Sequence, residues 1–131
     1  MNQLTSIRPV RVVAAVQSIY FLITGIWPLV HIRSFLALTG PKEDIWLVET
    51  VGVLVTAIGA GLGLAAYRGR VSGEIVLIAV GSGLGLAIID AIYVALERIA
   101  LIYLLDVAIE ACLITAWAFC WRIQTRRQAS R

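Results

Sequence analysis

Four apolar stretches, each about as long as a membrane-spanning helix, constrain this chain more than any other feature. They cover residues 12–32, 45–67, 75–96 and 99–121, and short polar segments separate them. A helix needs about 20 mainly apolar residues to cross the hydrocarbon core. With a mean hydropathy of +0.92, the 131 residues carry more apolar surface than a soluble domain of this size can bury. We therefore predict an all-α integral membrane protein, one domain over residues 1–131, built as an antiparallel four-helix bundle.

The polar segments mark the predicted turns. Residues 39–44 combine Gly40 and Pro41 with acidic residues suited to a first helical turn, and residues 68–74 form a glycine-containing polar turn. Glu97 and Arg98 form the shortest link, where one long bent helix is the alternative. The first stretch exceeds a typical signal-peptide core and is predicted to be retained as a span.

Basic residues predict the orientation of the bundle. Eight fall on one side, in the segments flanking the spans: Arg8, Arg11, Arg68, Arg70, Arg122, Arg126, Arg127 and Arg131. Arg33, Lys42 and Arg98 fall on the other. Basic residues in short loops concentrate on the cytoplasmic side of a membrane. We therefore expect both termini in the cytoplasm of a multi-pass membrane protein.

Several functional classes are disfavoured by what the sequence lacks. His31 is the sole histidine, and no CxxC pair is present, so we expect no metal site and no cofactor. The arginines at the C-terminal end are explained as a topology anchor, so we expect no nucleic acid partner. Gly81-x-Gly83-x-Gly85 lies within a span and lacks the spacing of a nucleotide-binding loop.

Each apolar stretch also carries a stripe of polar or small residues at helical spacing, as a shared interior requires. The stripes are Gln17, Tyr20, Thr24, Trp27 and His31; Glu49, Gly52, Thr56, Gly59 and Gly63; Asp90, Tyr93 and Glu97; and Tyr103, Asp106, Glu110 and Trp117. Acids within a span are costly and normally face a bundle interior or a water-filled cavity.

Folding each hairpin at its loop predicts the depth of these residues. Asp90 comes level with Asp106, and Tyr93 comes level with Tyr103. In the same way, Trp27 and His31 come near the level of Glu49, and Glu110 lies deepest. The glycines occupy the opposite half: Gly59, Gly61 and Gly63 come level with Gly81, Gly83 and Gly85. Small residues let helices approach closely in lipid. We assign close packing of the second and third spans to Gly59, Gly63, Gly81 and Gly85, with an acidic pocket open to the outer side.

The convergent acids leave several functions open. The candidate ligand-binding residues are Glu49, Asp90, Asp106, Glu110, Tyr93, Tyr103, Trp27 and His31. The first hypothesis is binding or transport of a small cationic or amphipathic molecule, coupled to proton release, with a homodimer completing a transport path. The second is an intramembrane enzyme or accessory factor that uses acid/base chemistry on a lipid- or quinone-like substrate. The third is a structural subunit of a membrane complex. The chain lacks a histidine deep in the bundle and a nucleophile motif, which weighs against hydrolysis but leaves acid-catalysed isomerisation open; we favour a protein that is not an enzyme.

Three sequence segments resemble those of a known group of proteins. They are Thr39-Gly-Pro-Lys-x-Asp-x-Trp-Leu-Val48, Asp90-x-x-Tyr-Val94 and Ile102-Tyr-Leu-Leu-Asp106-x-x-x-Glu110. The chain resembles small four-span bacterial membrane proteins grouped loosely around the DoxX family. The resemblance implies four spans in a bacterial inner membrane, and it assigns no activity or catalytic residue.

Overall fold

The computed structural model describes residues 8–130, which form five helices and no strand over that range. The helices are α1 (Pro9–Val30), α2 (Ile32–Thr39), α3 (Ile45–Arg68), α4 (Gly73–Ala95) and α5 (Tyr103–Ala129). All except α2 are long and apolar enough to cross a membrane. The predicted all-α membrane bundle with four spans is confirmed. Arg131, part of the predicted orientation signal, lies outside the described residues.

The first predicted span ends earlier than expected, and the short helix α2 follows it. Pro28 lies in the last turn of α1 and cannot donate a backbone hydrogen bond there. The helix stops at Val30, and His31 adopts a non-helical conformation with φ of −145°. The His31 Nδ1 accepts a hydrogen bond from the Ser34 amide at 3.2 Å and so caps the start of α2.

The link between the third and fourth spans is longer than expected. Residues 96–102 form turns rather than helix, and Glu97 has a positive φ of 54°. Consequently α5 begins at Tyr103 rather than near residue 99, and it continues beyond the predicted end to Ala129. Helices α4 and α5 pack side by side, which excludes one long bent helix.

The glycines of α3 pack against α1, and this corrects the predicted pairing with α4. A Cβ at Gly59 would lie 2.9 Å from the Phe21 Cβ, and one at Gly52 would lie 2.8 Å from the Gly25 carbonyl oxygen. By contrast, the Cβ positions at Gly81 and Gly85 face open space. Helix α3 packs closely along α1, α4 packs along α5, and α3 and α4 touch each other only lightly.

One end of the bundle is filled by apolar side chains. This closed end comprises the start of α1, the end of α3, the start of α4 and the second half of α5. Its buried cluster is Val10, Val13, Ala14, Leu62, Ala66, Ala79 and Trp117. Arg11 Nε also donates to the Ala66 carbonyl at 2.6 Å, placing a cation at the C-terminal end of α3, where the helix dipole favours it.

Candidate functional site

The opposite end of the bundle holds a cavity of about 640 Å³. Its walls come from all five helices and are mostly aliphatic or aromatic. Among the lining residues, those on α1 and α3 include Tyr20, Trp27, Leu47, Val51 and Val55, and those on α4 and α5 include Leu86, Ile89, Asp90, Tyr93, Tyr103, Asp106 and Glu110. The carboxyl groups are concentrated on α4 and α5, so the cavity has an acidic side and an apolar side.

Asp106 is the centre of the acidic side. The Tyr20 hydroxyl, on α1, donates a hydrogen bond to Asp106 Oδ1. The carboxyl group of Asp90 also lies within hydrogen-bonding range of Asp106. Two carboxyl groups can share a hydrogen bond only when one of them carries a proton. Tyr20, Asp106 and Asp90 therefore form a polar chain from α1 across α5 to α4.

Glu110 lies one helical turn deeper than Asp106 and is fully buried. Its carboxyl group lies directly against Gly83 of α4, where a Cβ would overlap it. Neither carboxyl oxygen has a hydrogen-bond partner among the described residues. A buried carboxyl group without a partner is costly in a protein interior, which makes it a candidate functional group.

A second hydrogen-bonded group, centred on Gln17, lies near Glu110 beside Gly83. The buried Gln17 donates through Nε2 to the Ala79 carbonyl at 2.9 Å and accepts from the Trp117 indole nitrogen at 2.6 Å. These bonds connect α1 with α4 and α5. Both polar ends of Gln17 are thereby engaged, and Gln17 lies on α1 between Ala14 of the apolar cluster and Tyr20 of the cavity wall.

Helix α2 covers the end of the cavity that faces away from the closed end. Phe35 and Thr39 of α2 line the cavity, and Thr39 is buried. The Trp27 indole donates to the Ser34 hydroxyl at 2.8 Å, and its ring meets Phe35 edge to face at 5.8 Å between centroids. These contacts hold α2 against the end of α1.

Lys42, in the loop after α2, places a cation beside the acidic side of the cavity. Its Nζ donates to the Thr39 carbonyl at 3.0 Å and lies 5.1 Å from the centre of the Tyr103 ring. Burial lowers the pKa of Lys42, because it disfavours the charged ammonium, and the negative charge of Asp90 partly opposes that shift. The ring face of Tyr103 stabilises the charged form in the manner of a cation–π contact.

The structure brings together six of the eight residues predicted to bind a ligand. Asp90, Asp106, Glu110, Tyr93, Tyr103 and Trp27 all line the cavity. Glu49 and His31 do not line it. Glu49 is exposed on the outside of α3, and His31 is exposed beside a shallow groove on the outer face of α1.

Three features of the site have no role predicted from the sequence: Tyr20, Lys42 and the helix α2. Tyr20 was already on the polar stripe of the first span, so its spacing from Gln17 and Thr24 was a usable signal. In the sequence, Lys42 is a loop charge on the side with fewer basic residues. Its position seven residues before Glu49, where the predicted stripe begins, gives no indication that Lys42 folds back over Tyr103.

Within residues 8–130, no group of three or more His, Cys, Asp or Glu side chains is arranged to hold a metal ion. The fold and the cavity define a helical membrane protein with an acidic, apolar-walled pocket at one end of its bundle. Comparison with protein-family models, with curated proteins and with solved structures gives no match to this chain.

Proposed function

We propose that this protein binds a small cationic amphipathic molecule in the cavity, as a binding or transport protein. The observation that carries the proposal is the convergence of Asp90, Asp106 and Glu110 on one side of an otherwise apolar cavity. A cationic head group would be attracted to the carboxyl groups, and an apolar tail would bury its surface against the aliphatic wall.

The balance of charge in the cavity supports a cationic ligand. The cavity wall carries three carboxyl groups, and the ammonium group of Lys42 beside it already interacts with Tyr103. Asp90 and Asp106 lie within hydrogen-bonding range of each other, and two carboxyl groups can share a hydrogen bond only when one of them carries a proton. An arriving cation can take the place of that proton, so binding would release a proton from the pair. This exchange is the form of proton coupling that we propose.

The volume of the cavity sets the size of the ligand. About 640 Å³ lies within the range of small-molecule sites, which are commonly about 300–1,000 Å³. A molecule of this size with one cationic group and an aliphatic chain would fill it. Inorganic ions would leave the apolar wall uncovered and gain nothing from it.

The proposal is tested by measuring the binding of dodecyltrimethylammonium to the full chain in lipid nanodiscs by calorimetry. Replacing Asp106 with Asn removes one charge while keeping the shape of the side chain. We expect the Asp106→Asn variant to bind about tenfold more weakly, which corresponds to about 1.4 kcal/mol. Glu49→Gln is the matched control, because this carboxyl is exposed outside the cavity. Equal binding by wild type and Asp106→Asn, or equal binding of dodecyl sulfate, would contradict the proposal.

A second candidate function is acid/base chemistry on an apolar substrate, and the Tyr20–Asp106–Asp90 chain favours it. A carboxyl pair that shares a proton offers an acid and a conjugate base at one place. Incubating the protein with a quinone-like or sterol-like compound would distinguish the two functions. Product formation lost in Asp90→Asn supports the enzyme, whereas unchanged recovery of the compound supports binding.

We further propose that both termini lie in the cytoplasm of a bacterial inner membrane, so that the cavity is on the outer side. The positive-inside distribution supports this orientation, because Arg11, Arg68 and Arg122 flank the closed end and Arg33 and Arg98 flank the cavity end. The resemblance to small DoxX-like proteins supports the choice of membrane. Fusing a reporter that is active only in the cytoplasm to the C-terminus tests it, and an inactive, fully expressed fusion would contradict it.

A further inference from the structure

The gap between α3 and α4 bears on how a ligand reaches the cavity. These two helices are consecutive, yet α3 packs along α1 and α4 packs along α5. Their shared apolar contacts lie at the closed end, where Leu62 and Ala66 of α3 join the same buried cluster as Ala79 of α4. Beyond that point the cavity separates the two helices.

The residues that border this gap belong to the cavity and to the outer surface at once. Val51 of α3 and Ile89 of α4 line the cavity but are 48% and 54% exposed. By comparison, Val55 lines the same cavity one turn further along α3 and is only 9% exposed. The cavity wall therefore continues onto the outer surface of the bundle, in the part of each helix that is apolar enough to lie in the membrane.

The other route into the cavity is obstructed. At the end that faces water, α2 lies across the opening, with Phe35 and Thr39 in the cavity wall. Lys42, in the loop that follows α2, places its positive charge over the ring of Tyr103. A cation that approached from water along this route would meet a like charge before it reached the carboxyl groups.

From these observations we propose that the ligand is a membrane-dissolved, single-chain amphiphile that enters sideways from the bilayer, through the gap between α3 and α4. Its amine head group reaches Asp106 and Asp90, and its chain lies along Val51, Val55 and Ile89 toward the lipid. This inference rests on the proposed function and adds the source of the ligand. The charge of the acidic side and the aliphatic character of the gap together select this occupant, since a purely apolar chain would leave the carboxyl groups unpaired.

Photolabelling in phosphatidylcholine vesicles tests the route. The probe is a dodecylamine that carries a diazirine near the end of its chain, and mass spectrometry locates the labelled peptides. We expect labels on the segments of α3 and α4 that contain Val51 and Ile89, and about tenfold less labelling in Asp106→Asn. Butylamine added from the aqueous phase should bind at least tenfold more weakly than dodecylamine, because it covers less of the wall.

Substitutions at the gap test the route through the initial rate of labelling, while the final extent of labelling reports on the site. Val51→Trp should slow labelling by narrowing the gap, and Val51→Ala should accelerate it by widening the gap. Val53→Trp is the matched control, because Val53 is exposed on α3 but does not line the cavity. If both Val51 variants are labelled as the wild type is, while labelling of Asp106→Asn is still impaired, lateral access is refuted and the proposed function is not. Labelling that is insensitive to both Asp106→Asn and Asp90→Asn would refute the proposed function instead.

Discussion

Replacing Gly59 with Ala tests the packing that holds α3 to α1. An added Cβ would lie 2.9 Å from the Phe21 Cβ, 3.1 Å from the Leu22 nitrogen and 3.2 Å from the Ser18 carbonyl oxygen. Carbon atoms in contact prefer about 3.5–4.0 Å, so the helices must separate by roughly 0.6 Å or more. Two of the three neighbouring atoms are backbone and cannot rotate away. The change must therefore move a whole helix.

The separation has a second cost at the same place. The Ser18 hydroxyl donates to the Gly59 carbonyl at 2.7 Å, and this buried hydrogen bond lengthens as the helices part. Overpacking of this kind destabilises by about 1–3 kcal/mol. We expect the free energy of unfolding of Gly59→Ala to fall by that amount. The control is Gly61→Ala, two residues along the same helix, where a Cβ meets open space. Its free energy of unfolding should rise by up to about 1 kcal/mol, since alanine favours the helix.

The assay is reversible unfolding in mixed detergent micelles, with helix content followed by circular dichroism as the fraction of sodium dodecyl sulfate increases. Gly81→Ala and Gly85→Ala extend the comparison to α4. If the glycines of α3 packed against those of α4, both of these substitutions would destabilise the protein. Destabilisation by Gly61→Ala equal to that by Gly59→Ala, or no effect of Gly59→Ala, would refute the packing of Gly59 against α1.

Three further predictions follow from individual contacts. Replacing Gln17 with Leu leaves the Trp117 indole N–H without its acceptor, so the free energy of unfolding should fall by about 1–3 kcal/mol. In a double-mutant cycle, adding Trp117→Phe to Gln17→Leu should cost less than Trp117→Phe costs in the wild type, and strictly additive losses would contradict the contact. Arg11→Met should destabilise by about 1 kcal/mol by removing the bonds to the Ala66 and Tyr67 carbonyls, whereas Arg70→Met should not. Burial lowers the pKa of Lys42, so Lys42 loses its charge at a lower pH than an unfolded lysine, and stability should increase as the pH rises between those two pKa values. Dodecyltrimethylammonium, whose charge is fixed, should bind more tightly as the pH rises through the lowered pKa of Lys42 in the folded protein, and Lys42→Gln should remove that dependence.

The sequence predicted the number, kind and approximate extent of the spanning helices because hydropathy depends on composition over a window of about 20 residues. It failed at α2 for the same reason. Residues 29–38 are almost as apolar as the span before them, so hydropathy does not mark the break at His31. The break depends on Pro28 and on the cap between His31 and Ser34, which are local features that a window average cannot resolve.

The pairing of the helices illustrates a different limit. A glycine stripe shows that a helix face packs closely, but it does not show which helix lies opposite. The partner face on α1 was visible as Ser18 and Gly25, seven residues apart, which match the spacing of Gly52 and Gly59 on α3. Similarity between the glycine segments of α3 and α4 favoured the wrong pair. Comparing the spacing of small residues in every span would have favoured α1.

Depth estimates from the loops worked for Asp90 and Asp106 because their hairpin is short and its helices pack directly together. They did not place Glu49 in the cavity, because rotation of a helix about its axis is set by its closest neighbour. Gly52, Gly59 and Gly63 turn toward α1, and Glu49 is consequently exposed. Folding a hairpin at its loop predicts the depth of a residue in the bundle, but it does not predict the direction in which the side chain points.

The same contacts that fix the packing also account for the cavity. Glycines fasten α3 to α1, while Gly83 admits the Glu110 side chain between α4 and α5. Each helix pair is thereby tightly joined, and Gln17 and the apolar cluster join the pairs at the closed end. Nothing comparable joins α3 to α4 at the level of Asp90 within the described residues, so the two pairs diverge there. A substitution that strengthens the contact of α3 with α4 at that level should therefore stabilise the bundle and close the cavity together.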